Sequence, residues 1–184
     1  INIGPLITTD AHRAALRRLI EKHLHIFRSK LGDSFCHVLE HDIELQEGYT
    51  PKKDAPMHRR SEEEEALYAE AARSYLEDGL AYFCESPHAC NALLLPKYDH
   101  NGMLKKAMRY CHDFRSLNAG TVGTASPLHD VLRNLHRIRG KVFSLADLLS
   151  GFNQLKLTPR AQRNTAHHTP LGLMCMYRAP FGLA

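Results

Sequence analysis

VFSLADLLSGFNQLKL, residues 142–157, is mostly apolar and carries a single acid, Asp147, near its middle. A carboxylate buried in such a run is costly unless a cation or hydrogen-bond donors accompany it. Two uses fit the pattern. A strand that ends in a lone acid, with Ser150–Gly151 just after it, presents the carboxylate at a sheet edge, where a divalent cation such as Mg2+ can hold it together with phosphate oxygens. Alternatively, the acid caps a helix or makes a local salt bridge. The stretch leaves both open. It reads as strand, turn, strand: KVFSLAD, then SG, then QLKL.

The surrounding chain predicts interspersed helices and strands without a regular βαβ alternation, hence an α+β class. Residues 9–28 predict a helix that Thr9 or Asp10 can cap, with Leu16, Leu19, Ile20, Leu24 and Phe27 at helical spacing. Residues 37–47 alternate around Val38 and Ile43 and predict a strand, followed by a Pro-bearing connector over 49–60. Residues 61–79 give the clearest helix: Ser61 and Glu64 fit a capping box, four glutamates suit the positive helix end, and Gly79 stops it. Residues 92–97 and 105–114 predict a hairpin around a turn at 99–102, with Pro96 marking an edge or a strand end. Residues 127–139 suit a helix opened by Pro127, with Leu128, Val131, Leu132 and Leu135 inward. A turn at 168–173 leads to a last strand, MCMYRA.

Charge is unevenly spread. The net charge is +4, but residues 1–96 hold 11 Lys/Arg against 16 Asp/Glu, whereas residues 97–184 hold 13 against 4. A basic second half fits a polyanion partner, with a solvated basic face as the plain alternative. The five cysteines are odd in number and include no C-x-x-C, which argues against a disulfide framework and for an intracellular, reducing setting rather than secretion. No apolar run is long enough to span a bilayer, and no signal peptide is visible. The thirteen histidines show no four-ligand zinc spacing and read as solvated or core residues. The chain starts without Met and stops soon after P-F-G, and it reads as a piece of something longer.

Three motifs fall in one order: R-Y-C-H-D-F-R-S-L-N at 109–118, F-S-L-A-D-L-L-S-G-F-N-Q at 143–154, and T-A-H-H-T-P-L-G-L with A-P-F-G-L over 165–183. Together they resemble the reverse transcriptase of retroelement Pol polyproteins, with the match closest to gypsy-type LTR elements. H-D-I-E-L at 41–45 and L-L-L-P-K at 93–97 resemble that family's approach to the polymerase core. His167 stands where the family usually has Phe.

The resemblance implies the fingers and a partial palm of a right-hand nucleic-acid polymerase, incomplete in this chain. Residues 1–36 would be a helical lead-in, 37–140 the fingers and start of the palm, and 141–184 the partial palm. Asp147 matches the family's first catalytic, metal-binding aspartate. Lys97 and Arg109 match the hairpin cations that grip the incoming triphosphate. Phe152 matches the aromatic gate beneath the sugar, and Phe181 with Gly182 the segment beside the nucleotide. Arg115 matches a template contact, and Asp113 and Asn118 are expected to hydrogen-bond within that turn. The implied partners are an RNA or DNA template with its primer, a dNTP and the rest of the Pol polyprotein. The implied cofactor is Mg2+, two ions in the family, yet no Y-x-D-D motif occurs to supply the remaining carboxylates. A non-catalytic nucleic-acid-binding remnant of such an element is the alternative.

Overall fold

The computed structural model describes residues 9–32, 35–52, 59–98, 101–123, 130–140 and 142–183. In chain order the elements are α1 (Asp10–Lys22), β1 (Glu40–His41), α2 (Glu62–Glu77), β2 (Ala81–Phe83), β3 (Cys90–Tyr98), β4 (Leu104–His112), α3 (Arg115–Gly120), α4 (Val131–Arg137), β5 (Lys156–Leu157), α5 (Pro159–Asn164), β6 (His167–Thr169) and β7 (Gly172–Met176). Short 3-10 turns cover Leu24–Ile26 and Gly151–Gln154. The chain divides into two units, Ile1–Lys30 with Ala125–Leu149 and Leu31–Thr124 with Ser150–Ala184.

The second unit is built on a five-stranded sheet of order β2-β7-β6-β3-β4. Only the β3–β6 pairing is parallel; the other neighbours run antiparallel. The β3–β4 hairpin forms as the runs at 92–97 and 105–114 predict, with β3 longer than expected, and its register shifts between Pro96 and Lys97. Proline lacks the amide that a regular ladder needs there.

Helix α2 has the expected start. Glu64 N donates to Ser61 Oγ (3.2 Å), and Ser61 N donates to Glu64 Oε2 (2.9 Å). Gly79, at φ +62°, supplies the left-handed stop. The helix covers one face of the hairpin. Tyr68 Oη accepts from the Leu94 amide (2.9 Å), and the Arg60 guanidinium lies 3.7 Å from the Tyr68 ring centre. The rings of Tyr68 and Tyr75 both meet Tyr110 edge-on. Ile43, Ala72, Phe114, Leu117, Leu157 and Met174 gather in the main core.

Several expectations need correction. No strand forms over 142–147. Those residues are exposed, Leu145 to 98%, and no neighbouring strand among the described residues satisfies their backbone groups. QLKL keeps only Lys156–Leu157 as strand, paired in parallel with β1. The 37–47 strand shrinks to Glu40–His41: past it the Ile43 amide donates to Asp42 Oδ1 (3.0 Å) instead of to a strand partner, and Asp42 also accepts from Thr158 Oγ1 (2.5 Å) and from Arg160. Helix α4 starts at Val131 with Asp130 as its cap, Asp130 Oδ1 accepting from Arg133 N, and Leu132 and Leu135 are exposed rather than inward. Cys84 and Cys175 are joined as a disulfide. The β2–β7 pairing brings their Cα atoms to 5.8 Å, a proximity that cysteine spacing could not show.

Pro127 and Leu128, the start of the 99–102 turn, Lys141 and positions 53–58 of the connector lie outside the described residues, as does the side chain of Val131. The first unit carries α1, α4 and the exposed 142–149 segment, and α1 buries no residue. Among the described residues, no helix is long and apolar enough to cross a membrane.

Candidate nucleotide and nucleic-acid site

The β3–β4 hairpin has two unlike faces, because side chains alternate along a strand. Leu94, Tyr110 and Ala92 lie under α2. Cys111 and Arg109, each one residue from Tyr110, point the other way. Arg109 is exposed and Lys97 half-buried. Burial pushes the Cys111 thiol pKa up, and Arg109 and Lys97 are both close enough to oppose that shift. The two expected triphosphate cations therefore gather around one side chain on one hairpin.

Strand β4 runs into the D-F-R-S-L-N turn. Arg115 forks onto Asp113, with Nε to Oδ1 at 2.7 Å and Nη2 to Oδ2 at 2.6 Å. Its side chain is 89% exposed, so a phosphate could reach it by competing with Asp113. Phe114 and Leu117 anchor α3 in the core. One helical turn after Arg115, Asn118 Nδ2 donates to the carbonyl of Gly182 at 2.7 Å. Asp113 thus hydrogen-bonds within the turn as expected, whereas the Asn118 side chain reaches out of it to the Gly182 segment.

Phe152 and Phe181 meet edge-on, with ring centroids 5.1 Å apart and planes at 63°. Both keep a large exposed area, 54% and 44%. Phe152 sits on the Gly151–Gln154 turn, which follows Ser150 at φ +48°, a left-handed conformation that is costly for a residue with a Cβ. Phe181 precedes Gly182 at φ +93°, where only glycine is at ease. Asn153 was missed by sequence reasoning. Buried beside Phe152, its Nδ2 donates to the Ala179 carbonyl (3.2 Å) and ties the two ring-bearing segments together. The adjacent Phe-Asn pair gave no periodic signal for that role.

The structure thus joins Phe152, Phe181 and Gly182 directly, and Asn118 links them to the helix that carries Arg115. Lys97 and Arg109 lie on the strands leading into that helix. Asp147 lies in the first unit, exposed in the segment without helix or strand. Among the described residues, no group of three His, Cys, Asp or Glu side chains could hold a metal ion. One carboxylate does not make a two-metal site, so the residues described do not fit that group.

No family model matches the chain. The retrovirus-related Pol polyprotein of transposon opus from Drosophila melanogaster is 28% identical over 192 residues, covering 100% of this chain and 18% of that protein. That of transposon 412, also from Drosophila melanogaster, is 31% identical over 199 residues, covering 99% and 16%. The chain therefore spans less than a fifth of either relative. Among solved structures, the foamy viral protease-reverse transcriptase in complex with double-stranded DNA superposes with a TM-score of 0.76 at 20% identity, over 96% of this chain and 30% of that one. The prototype foamy virus protease-reverse transcriptase gives a TM-score of 0.74 at 19% identity, over 97% and 23%. Sequence relatives and fold point the same way: the chain is homologous to one stretch of retrotransposon Pol polyproteins and has the fold of the matching part of foamy viral protease-reverse transcriptase.

Proposed function

We propose that the chain forms the fingers and the start of the palm of a gypsy-type reverse transcriptase, and that its second unit binds the incoming dNTP beside a primed template. The observation that carries this reading is the exposed Phe152–Phe181 pair, tied through Asn118 to the base of a hairpin bearing Lys97 and Arg109. In this reading Phe152 lies under the sugar, Phe181 and Gly182 flank the nucleotide, and the two cations take the triphosphate, Arg109 as a fork. Arg115 takes a template phosphate. Solved relatives in complex with an RNA/DNA hybrid and with double-stranded DNA support a duplex partner.

Residues 1–36 are then the lead-in, 37–140 the fingers and palm start, and 141–184 the first part of the palm. Asp147 is offered as one ligand of a divalent cation, Mg2+ in the family, whose further ligands would come from the rest of the Pol polyprotein. An intracellular setting goes with a retroelement protein.

The test is photo-crosslinking of an azido-dNTP to the chain, with adducts mapped by mass spectrometry. Adducts are expected on peptides containing Phe152 or Phe181 and should vanish with excess dNTP. Adducts scattered over the chain, or unaffected by competitor, would overturn the reading.

A further inference from the structure

Two asparagine amides hold the segment that carries Phe181. Asn153 Nδ2 donates to the Ala179 carbonyl from the side of the Phe152 turn, and Asn118 Nδ2 donates to the Gly182 carbonyl from α3, 64 residues away in sequence. Their settings differ. Asn153 is buried and has a packing role as well, whereas Asn118 is only half-buried. Its helix is firm: Asn118 N donates to Phe114 O (2.7 Å), Thr121 Oγ1 donates to Leu117 O (3.0 Å), and Phe114 and Leu117 are core residues. The turn it holds is exposed at both Phe181 and Gly182. A Cβ built on Gly182 would meet only ordinary contacts, His112 O at 3.7 Å and Phe114 Cδ2 at 4.0 Å. Phe181 and Gly182 are thus lightly covered, between buried Pro180 and core-packed Leu183. A hydrogen bond at its apex restricts the backbone that aims the Phe181 ring at Phe152.

Building on the dNTP reading above, we propose that Asn118 is a positioning residue for sugar selection: its amide fixes the Phe181–Gly182 turn and so the geometry of the Phe152–Phe181 pair. Asn118 does not touch the nucleotide. Without its donor, the Gly182 carbonyl turns to water, Phe181 leaves Phe152, and the platform under the sugar loosens. Triphosphate contacts by Lys97 and Arg109 are unaffected, because they lie on β3 and β4. The loss should therefore appear in discrimination between deoxy- and ribonucleotides, and leave the electrostatic part of binding unchanged.

The experiment compares the chain with Asn118→Ala and Asn118→Asp; the aspartate keeps the shape but sets an acceptor against the carbonyl. The first readout is the NOE between the Phe152 and Phe181 rings in phenylalanine-labelled protein. The second is the ratio of dNTP to rNTP affinity, with its salt dependence. The expected result is a weakened NOE and a several-fold drop in that ratio in both variants, with melting temperature and salt slope close to wild type. A persisting NOE, or a lost NOE with an unchanged ratio, would overturn the proposal. If the wild-type chain binds neither nucleotide, the dNTP reading and this selection role both fail, while the NOE still shows whether Asn118 holds the pair.

Discussion

His112 and His167 meet edge-on inside the second unit, with ring centroids 4.3 Å apart. His112 also stacks on Phe114, and His167 Nδ1 lies 3.2 Å from the Thr165 carbonyl. Both nitrogens of His112 and Nε2 of His167 are buried without a hydrogen-bond partner among the described residues. Burial holds both rings neutral: it drives the His112 pKa well below 6.5 and that of His167 down to about 4.

Acid should therefore unfold this chain early. A histidine whose pKa is lower folded than unfolded takes up its proton preferentially in the unfolded state. Above pH 6.5 the ring is neutral in both states and adds no pH dependence, and stability is lost as pH falls from 6.5 towards 4. The slope is roughly 1 kcal/mol per pH unit for each such ring. Urea midpoints between pH 7.5 and 4.5 measure it. His167→Phe fills the site with a ring that needs no hydrogen bond, and should flatten the slope. A slope equal to wild type would show that His167 does not cause it.

Gly120→Ala should destabilise the second unit. A Cβ there would fall 1.9 Å from Tyr49 Cδ1, and Tyr49 Oη is fixed by donating to the Ser116 carbonyl at 2.5 Å. Overpacking of this kind costs about 1–3 kcal/mol. Adding Tyr49→Ala should remove most of the extra cost of the alanine, which a double-mutant cycle of chemical denaturation would show. Simple additivity would contradict the contact.

Ser61→Ala removes the α2 cap and should cost about 1 kcal/mol. The helix holds Tyr68 and Tyr75 against the hairpin, so thermal melts followed at 222 nm and by tyrosine fluorescence should shift together. A shift in one signal alone would mean that α2 frays without disturbing the hairpin.

The parts legible in sequence were those fixed by local chemistry. Ser61 with Glu64, and Gly79 as the helix stop, each act within a few residues, and each has the role its local pattern predicts. The 142–147 strand failed because a strand needs a neighbour, and an apolar run does not reveal whether one is available. The Cys84–Cys175 pair and the His112–His167 contact depend on which strands become adjacent. Phe152 and Phe181 were legible only through resemblance; nothing in their spacing shows that the rings touch.

The most direct measurement is the affinity of the chain for an RNA/DNA hybrid as a function of salt, for wild type, Arg109→Ala and Arg115→Ala. The expected result is a logarithmic affinity that falls steeply with salt, with the slope reduced by about one in Arg115→Ala, which has lost a template-phosphate contact, and left as in wild type in Arg109→Ala, whose phosphate belongs to the dNTP. Binding that ignores salt and Arg115, or no binding at low salt, would contradict a nucleic-acid-facing role for the second unit.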